Sequence, residues 1–254
     1  IIGELGTGKS VMLDHFIEDL KKDKWQTFLV RGEDLRERQS LGAVRALIQQ
    51  IAHTYKDPAT LLTKACQSIG LTEGVEAVVG LYLATSFGGG ELPWQDAESF
   101  VYFSSALFHR MIRFAMKRGP VCIGIDDLDV EDLAQLSVLE GLLETIQHQP
   151  ALLAVSRRID SSAHDHKLPG NFEVLTIGGF SEPQTKQFVS QWLGYTPPIE
   201  VIDHLHRKSG GNPVFLTEMV RAIRKEGDST QMLTAEALEA KIPLSLHELL
   251  AQRV

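Results

Sequence analysis

The chain has 254 residues, of which 43% are hydrophobic, 23% charged and 7% aromatic, and its mean hydropathy is −0.05. These are the proportions of a globular protein with a sizeable core, and they exclude a disordered tail, a collagen-like chain and a disulfide mini-protein. Lys and Arg total 25 against 33 Asp and Glu, for a net charge of −8, so no global positive field draws in nucleic acid or anionic lipid, and contact with neither is expected. The two cysteines, Cys66 and Cys122, lack C-x-x-C spacing, which excludes a zinc ribbon, fits a reducing compartment and makes the cytoplasm the expected location. The longest apolar run, Val75 to Phe87, is interrupted by Glu76 and falls short of the roughly 20 residues a membrane span needs; no signal peptide is expected.

In chain order, Ile1-Ile2 reads as the end of a strand. A glycine loop follows, then an amphipathic helix marked by Val11, Met12, Leu13, Phe16, Ile17 and Leu20. Only two residues precede Gly3, against a usual strand length of about five or six. The first strand is therefore expected to be truncated and the chain to be a module of a longer protein. Thr27 to Val30 predict a strand, and Leu41, Val44, Leu47, Ile48 and Ile51 one face of a helix. From Asp57 to Gly90 helical patches alternate with small residues and finish on Gly88-Gly89-Gly90, a pattern expected of a helical insertion ending in a hinge or loop. Phe100 to Phe114 predict a long helix stopped by Gly119-Pro120, and Val121 to Ile125 is a continuous apolar run suited to a strand buried on both faces. Leu133 to Ile146 predict a helix, Ala151 to Val155 a buried strand and Val174 to Ile177 one more. This alternation is that of an α/β parallel sheet flanked by helices. After Gly178-Gly179 only helices are expected: about Glu182 to Leu193, opened by Ser181 and Gln184, then Glu200 to Lys208, Pro213 to Lys225 behind Asn212, Thr234 to Lys241, and from Ser245 onward. The expected division is an α/β domain over 1–178 and an all-helical lid over 179–254.

Gly3-Glu4-Leu5-Gly6-Thr7-Gly8-Lys9-Ser10 fits G-x-x-x-x-G-K-S, the P-loop pattern, between a strand end and a helix as that pattern requires. Its glycines let successive N–H groups, continued by Val11 at the helix start, face a β-phosphate. Lys9 reaches the β- and γ-phosphates, and Ser10 supplies an oxygen to Mg²⁺. ATP or ADP with Mg²⁺ is therefore the expected cofactor set. Val121 to Asp127 is the natural second half, a buried strand that delivers carboxylates at its C-terminal end. Asp126 would hold Mg²⁺ and Asp127 would orient or deprotonate the attacking water. The competing reading is an acidic helix start, because Asp127, Asp129, Glu131 and Asp132 all suit the positive end of the following helix. His164-Asp165-His166 lacks partners at metal-ligand spacing, and Cys122 inside a strand reads as a small hydrophobe.

Gly3 to Ser10, Ile125-Asp126-Asp127-Leu128 with Asp132, Leu152 to Arg157, Gly210-Gly211-Asn212-Pro213-Val214-Phe215-Leu216, and Ile242-Pro243 with Leu249 to Arg253 occur in the order seen in STAND-type AAA+ ATPases. The chain resembles, over essentially its whole length, the ATPase modules fused to LuxR-type transcription activators, adenylate cyclases and protein kinases. The resemblance implies a P-loop NTPase sheet followed by a helical lid. It also implies that Arg157 senses the γ-phosphate and that Pro213 packs near the adenine. Arg158 stands beside Arg157 and leaves the register of that arginine open; a solvated loop cation is the competing reading of either. A plain first-turn proline is the competing, and compatible, reading of Pro213. Where related sequences often have Leu-Gln-Trp-Ala-Asp, this chain has Leu128-Asp129-Val130-Glu131-Asp132. Many AAA+ enzymes carry Glu at the position of Asp127, one methylene longer, so slow hydrolysis is expected.

The leading expectation is a slow ATP-dependent conformational switch with fused sensor and effector domains and ATP-dependent self-association. The alternatives are a ring-forming motor ATPase and a scaffold with a vestigial nucleotide site. A GTPase is disfavoured because no N-K-x-D segment exists in the chain, and a small-molecule kinase because its arginine-rich lid is missing.

Overall fold

A computed structural model of the chain describes residues 1–32, 41–83, 94, 96–159 and 172–225. Gly88-Gly89-Gly90, His164-Asp165-His166, the helices expected after 233 and the Ile242-Pro243 and Leu249 to Arg253 segments lie outside the described residues. The elements run β1 (Ile2–Gly3), α1 (Lys9–Lys22), β2 (Gln26–Arg31), α2 (Gly42–His53), α3 (Pro58–Ser68), α4 (Val75–Leu83), α5 (Ala97–Met116) and β3 (Val121–Asp126). Then follow α6 (Leu133–Ile146), β4 (Ala151–Val155), β5 (Arg157–Arg158), β6 (Thr176–Ile177), α7 (Glu182–Leu193), α8 (Ile199–Ser209) and α9 (Pro213–Lys225). The chain divides into two compact units: Ile1 with Ser10–Val174, and Ile2–Lys9 with Leu175–Val254.

In the first unit β2, β3 and β4 form a parallel sheet in that order, with Arg31 opposite Asp126 at the end of the β2–β3 ladder. All six residues of β3 are buried, the outcome expected of a continuous apolar run in the middle of a sheet covered on both faces. Alternation assigns the faces. Phe28, Val30, Val121, Ile123, Ile125 and Val155 point into the larger core, built with Leu47 and Ile51 of α2, Leu107, Phe108 and Met111 of α5, and Leu139 and Leu142 of α6. On the other face Cys122, Leu29 and Ala154 meet Leu13 and Ile17 of α1. Gly124 is what lets α1 come this close: a Cβ there would stand 2.7 Å from Leu29 Cδ1 and 3.4 Å from Ile17 Cδ1.

Two helices, α3 and α4, fall in the expected insertion, and they contribute Leu62, Cys66, Val78 and Tyr82 to the larger core rather than forming a satellite. Burial pushes the Cys66 thiol up to about 11 and the Cys122 thiol up to about 12, so both remain protonated and act as apolar packing. Helix starts follow local chemistry. Asp57 and Asp96 accept from the Thr60 and Ser99 amides, with Pro58 at the first position of α3. For α6, Asp132 Oδ1 accepts from Gln135 N at 3.0 Å. At α2 the preceding residue, Leu41, adopts φ 63° and has no capping side chain of its own. Its amide donates instead to Asp132 Oδ2 at 3.0 Å, and the Ala43 amide donates to Gln135 Oε1 at 3.2 Å.

In the second unit β1 pairs in parallel with β6, Ile2 opposite Thr176 and Gly3 opposite Ile177. The strand expected over Val174 to Ile177 is thus reduced to its last two residues, and Val174 and Leu175 are exposed. Val189, Val201, Leu205, Phe215, Leu216, Met219 and Val220 hold α7, α8 and α9 around one small core. A capping box of Ser181 and Gln184 starts α7 where the sequence placed it. Among the described residues no helix is long and apolar enough to cross a membrane.

Candidate functional site

The glycine loop and the Gly-Asn-Pro segment both belong to the second unit. Gly6 and Gly8 take φ of 81° and 98°, a region open to glycine at no steric cost, so the loop curls between β1 and α1. Its side-chain donors fall on its own backbone: Thr7 Oγ1 donates to the Glu4 carbonyl at 2.9 Å and Lys9 Nζ to the same oxygen at 2.7 Å. Lys9 is buried to 7% exposure, which places a cation inside the curl of the loop. Glu4 and Leu5 are exposed. Pro213 opens α9, and the residue before it does two things. Asn212 Oδ1 accepts from the Val214 and Phe215 amides at 3.0 and 3.3 Å, while Asn212 Nδ2 donates to the Leu5 carbonyl at 2.8 Å. Only the capping half of this is legible from the position of Asn212 ahead of Pro213.

The acids lie in the first unit, with Ser10 and Val11 of α1 and with Arg157. Asp126, at the end of β3, is 4% exposed, and Ser156, immediately after β4, is fully buried. The Ser156 hydroxyl donates a short hydrogen bond to Asp126 Oδ1 and accepts from the Asp127 amide at 2.9 Å. Its backbone joins in as well: Ser156 N donates to the Ile125 carbonyl at 2.9 Å, and its carbonyl accepts from Leu128 N at 2.8 Å. One serine therefore fixes both acids. Arg31, opposite Asp126 in the ladder, sets Nη1 3.9 Å from Asp126 Oδ2 and Nη2 2.7 Å from Asp14 Oδ1, partly balancing the buried carboxylate.

Asp127 leaves the strand at φ 56°, a conformation that Asp tolerates better than most residues, and it caps no helix. Both of its oxygens are held by Arg158, Nε to Oδ1 at 3.0 Å and Nη2 to Oδ2 at 2.6 Å, the two-pronged geometry that guanidinium and carboxylate favour. The acidic run after β3 therefore splits: Asp132 is the cap of α6, Asp129 accepts from the Glu131 amide at 2.9 Å, and Asp127 faces an arginine. Of the two arginines, Arg158 takes the carboxylate, while the Arg157 amide donates to the Ile1 carbonyl at 3.0 Å. Ser156 and Arg31 do not stand out as site residues in the sequence, and Arg158 enters there only as the alternative register of Arg157. Strand-end position is the signal that could have found Ser156 and Arg158.

The donor chemistry fits Mg²⁺. Ser10 and Asp126 offer hard oxygens, and magnesium ordinarily takes one or two such protein ligands and completes its shell with phosphates and water. Among the described residues no group of three or more His, Cys, Asp or Glu gathers as an all-protein metal cage. The loop likewise fits a phosphate, with a buried cation inside a glycine curl at the start of a helix.

Residues 1–155 match the family described as the AAA ATPase domain. Among solved structures, a chain of the E. coli MS115-1 HORMA:CdnC:Trip13 complex is similar in fold, with a TM-score of 0.53 and 14% sequence identity over 95% of this chain and 73% of that one. No curated protein matches the chain.

Proposed function

The chain belongs to the AAA ATPase domain family, and we propose that it binds ATP and hydrolyses it slowly, acting as a conformational switch of the STAND type within a larger signalling or transcription-regulating protein. Nucleotide binding and hydrolysis are the general activities of the family. The observation that carries the reading is the glycine loop itself, which curls at Gly6 and Gly8 and holds the Lys9 ammonium on its own Glu4 carbonyl. On this reading Gly3 to Ser10 and Val11 supply N–H groups to the phosphates, and Lys9 exchanges the Glu4 carbonyl for phosphate oxygens. Ser10 and Asp126 hold Mg²⁺, which when bound neutralises phosphate charge. Asp127 orients the attacking water, Arg157 senses the γ-phosphate, and Pro213 packs near the base. Residues 1–178 are the nucleotide-binding domain and 179–254 the lid.

Slow turnover is supported by two features of Asp127: its carboxylate is one methylene shorter than a glutamate, and Arg158 engages both of its oxygens. The same grip favours the second reading, a scaffold whose nucleotide site is vestigial. Equilibrium binding of ATP and ADP with Mg²⁺ to wild type and Lys9→Ala tests the loop assignment. A loss of at least about a hundredfold is expected, as for removal of a buried charge-assisted contact, and equal binding by the two proteins overturns it. Turnover below about 1 s⁻¹, the lower end for typical enzymes, supports the switch. No turnover leaves the scaffold, and fast turnover that rises with protein concentration points to a ring. Sedimentation with and without ATP tests the proposed self-association.

A further inference from the structure

Asn212 joins two elements that the sequence keeps 207 residues apart, since its side-chain amide ends on the Leu5 carbonyl of the glycine loop. The other end of the same amide caps α9 through the Val214 and Phe215 amides. Both ends of one planar group are thereby committed, so the loop and the first turn of α9 cannot move independently without breaking one of these bonds. Space agrees with the bonding. A Cβ at Gly6 would stand 2.7 Å from Asn212 Oδ1 and 3.2 Å from the Val214 Cβ, so the approach of α9 depends on a residue without a side chain.

The Leu5 carbonyl and the Gly6 N–H belong to one rigid peptide plane and point in opposite directions across it. A phosphate hydrogen-bonded to the Gly6 N–H would therefore load the same plane whose carbonyl Asn212 holds. Glycine at 6, with φ 81°, is the residue that allows the plane to rotate.

We propose that Asn212 is a positioning residue that couples phosphate binding at the glycine loop to helix α9 through the Leu5–Gly6 peptide. The proposal rests on the nucleotide reading above for its ligand, while the latch itself can be tested with no ligand. Asn212→Asp keeps the oxygen that caps α9 but replaces the donor to Leu5 with a second acceptor. Asn212→Ser also retains a capping oxygen and is too short to reach Leu5. Both variants should fold with unchanged circular dichroism.

Hydrogen exchange read peptide by peptide then separates latch from cap. Without nucleotide, loop amides 5–8 should exchange about fivefold faster in both variants, with the first turn of α9 unchanged; loop exchange equal to wild type overturns the latch. With ATP and Mg²⁺, wild type should gain protection in the loop and in 213–225, and the variants in the loop alone. Equal gain in α9 by wild type and variants overturns the coupling. Failure of wild type to gain protection anywhere sinks the nucleotide reading and leaves the ligand-free result to judge the latch.

Discussion

The glycine loop and the acid end of β3 are held by opposite means. In the loop, side chains of Thr7, Lys9 and Asn212 all donate to main-chain carbonyls, so its shape depends on a few peptide planes and on glycines that let them turn. At the acid end, side chain meets side chain: Ser156 with Asp126, Arg158 with Asp127, Arg31 with Asp14. On the proposal above, the first arrangement yields when a ligand takes over a peptide N–H. The second resists most at Asp126, a buried carboxylate that would be left short of its donor, and less at the partly exposed Arg158–Asp127 and Arg31–Asp14 pairs. On the proposed reading, the difference assigns affinity and conformational response to the loop and the rate of chemistry to the way the acids are held.

Substitutions can break that contrast. The largest effect is expected for Asp127→Asn, which should lower single-turnover hydrolysis by about a hundredfold, at the low end for loss of a general base, and leave ATP affinity within twofold. A parallel fall in affinity would show that Asp127 holds nucleotide, and the contrast would collapse. Gly6→Ala should do the reverse, since it forces a side chain to φ 81° and against Asn212. About 1–2 kcal/mol of strain should appear in the urea midpoint and about a tenfold loss in ATP affinity, while hydrolysis of bound ATP stays nearly unchanged.

Smaller effects sharpen the picture. Ser156→Ala leaves buried Asp126 short of a donor and should cost about 1–3 kcal/mol, read from urea unfolding. A cost near zero would mean that Arg31 alone balances the carboxylate. The smallest effect lies outside both regions. His109 is held below its ordinary range first by burial, against a partly offsetting contact with the Val138 carbonyl. The fold therefore favours the neutral ring: its contribution is complete above about pH 6.5 and is lost as pH falls from there toward the folded pKa. Thermal melts between pH 7.5 and 5.5 should show this decline, and His109→Gln should flatten it without changing either region.

Much of the framework is legible in the sequence because its signals are local. The apolar run before Asp126, the Ala151–Val155 strand, the Ser181 and Gln184 pair and Pro213 behind Asn212 each fix an element within a few residues of themselves, although in Ala151–Val155 only Val155 is buried and Leu152 is exposed, against the expected buried strand. The shortened β6 is missed because apolar Val174 and Leu175 read as strand, yet the strand begins at Thr176 and Leu175 lends only its carbonyl to the Ile2 amide. The contacts that give the site residues their settings are missed for a different reason. Ser156 reaches Asp126 across 30 residues, Arg158 reaches Asp127 across 31 and Asn212 reaches Leu5 across 207. Periodicity and spacing carry no information about such pairs. The same limit left Arg157 and Arg158 undistinguished, since only the positions of their guanidinium groups separate them.

The borrowed cap of α2 bears on the order in which the fold assembles. Leu41 and Ala43 receive their acceptors from Asp132 and Gln135, 91 and 92 residues further along. During synthesis α2 leaves the ribosome before the residues that supply its cap have been made. Closing a loop of that length is entropically expensive and comes late. Like the β2–β3 pairing, the junction of α2 with α6 is a long-range closure, and if it forms late, weakening it should speed unfolding more than it slows folding, which unfolding and refolding rates of Gln135→Ala would show.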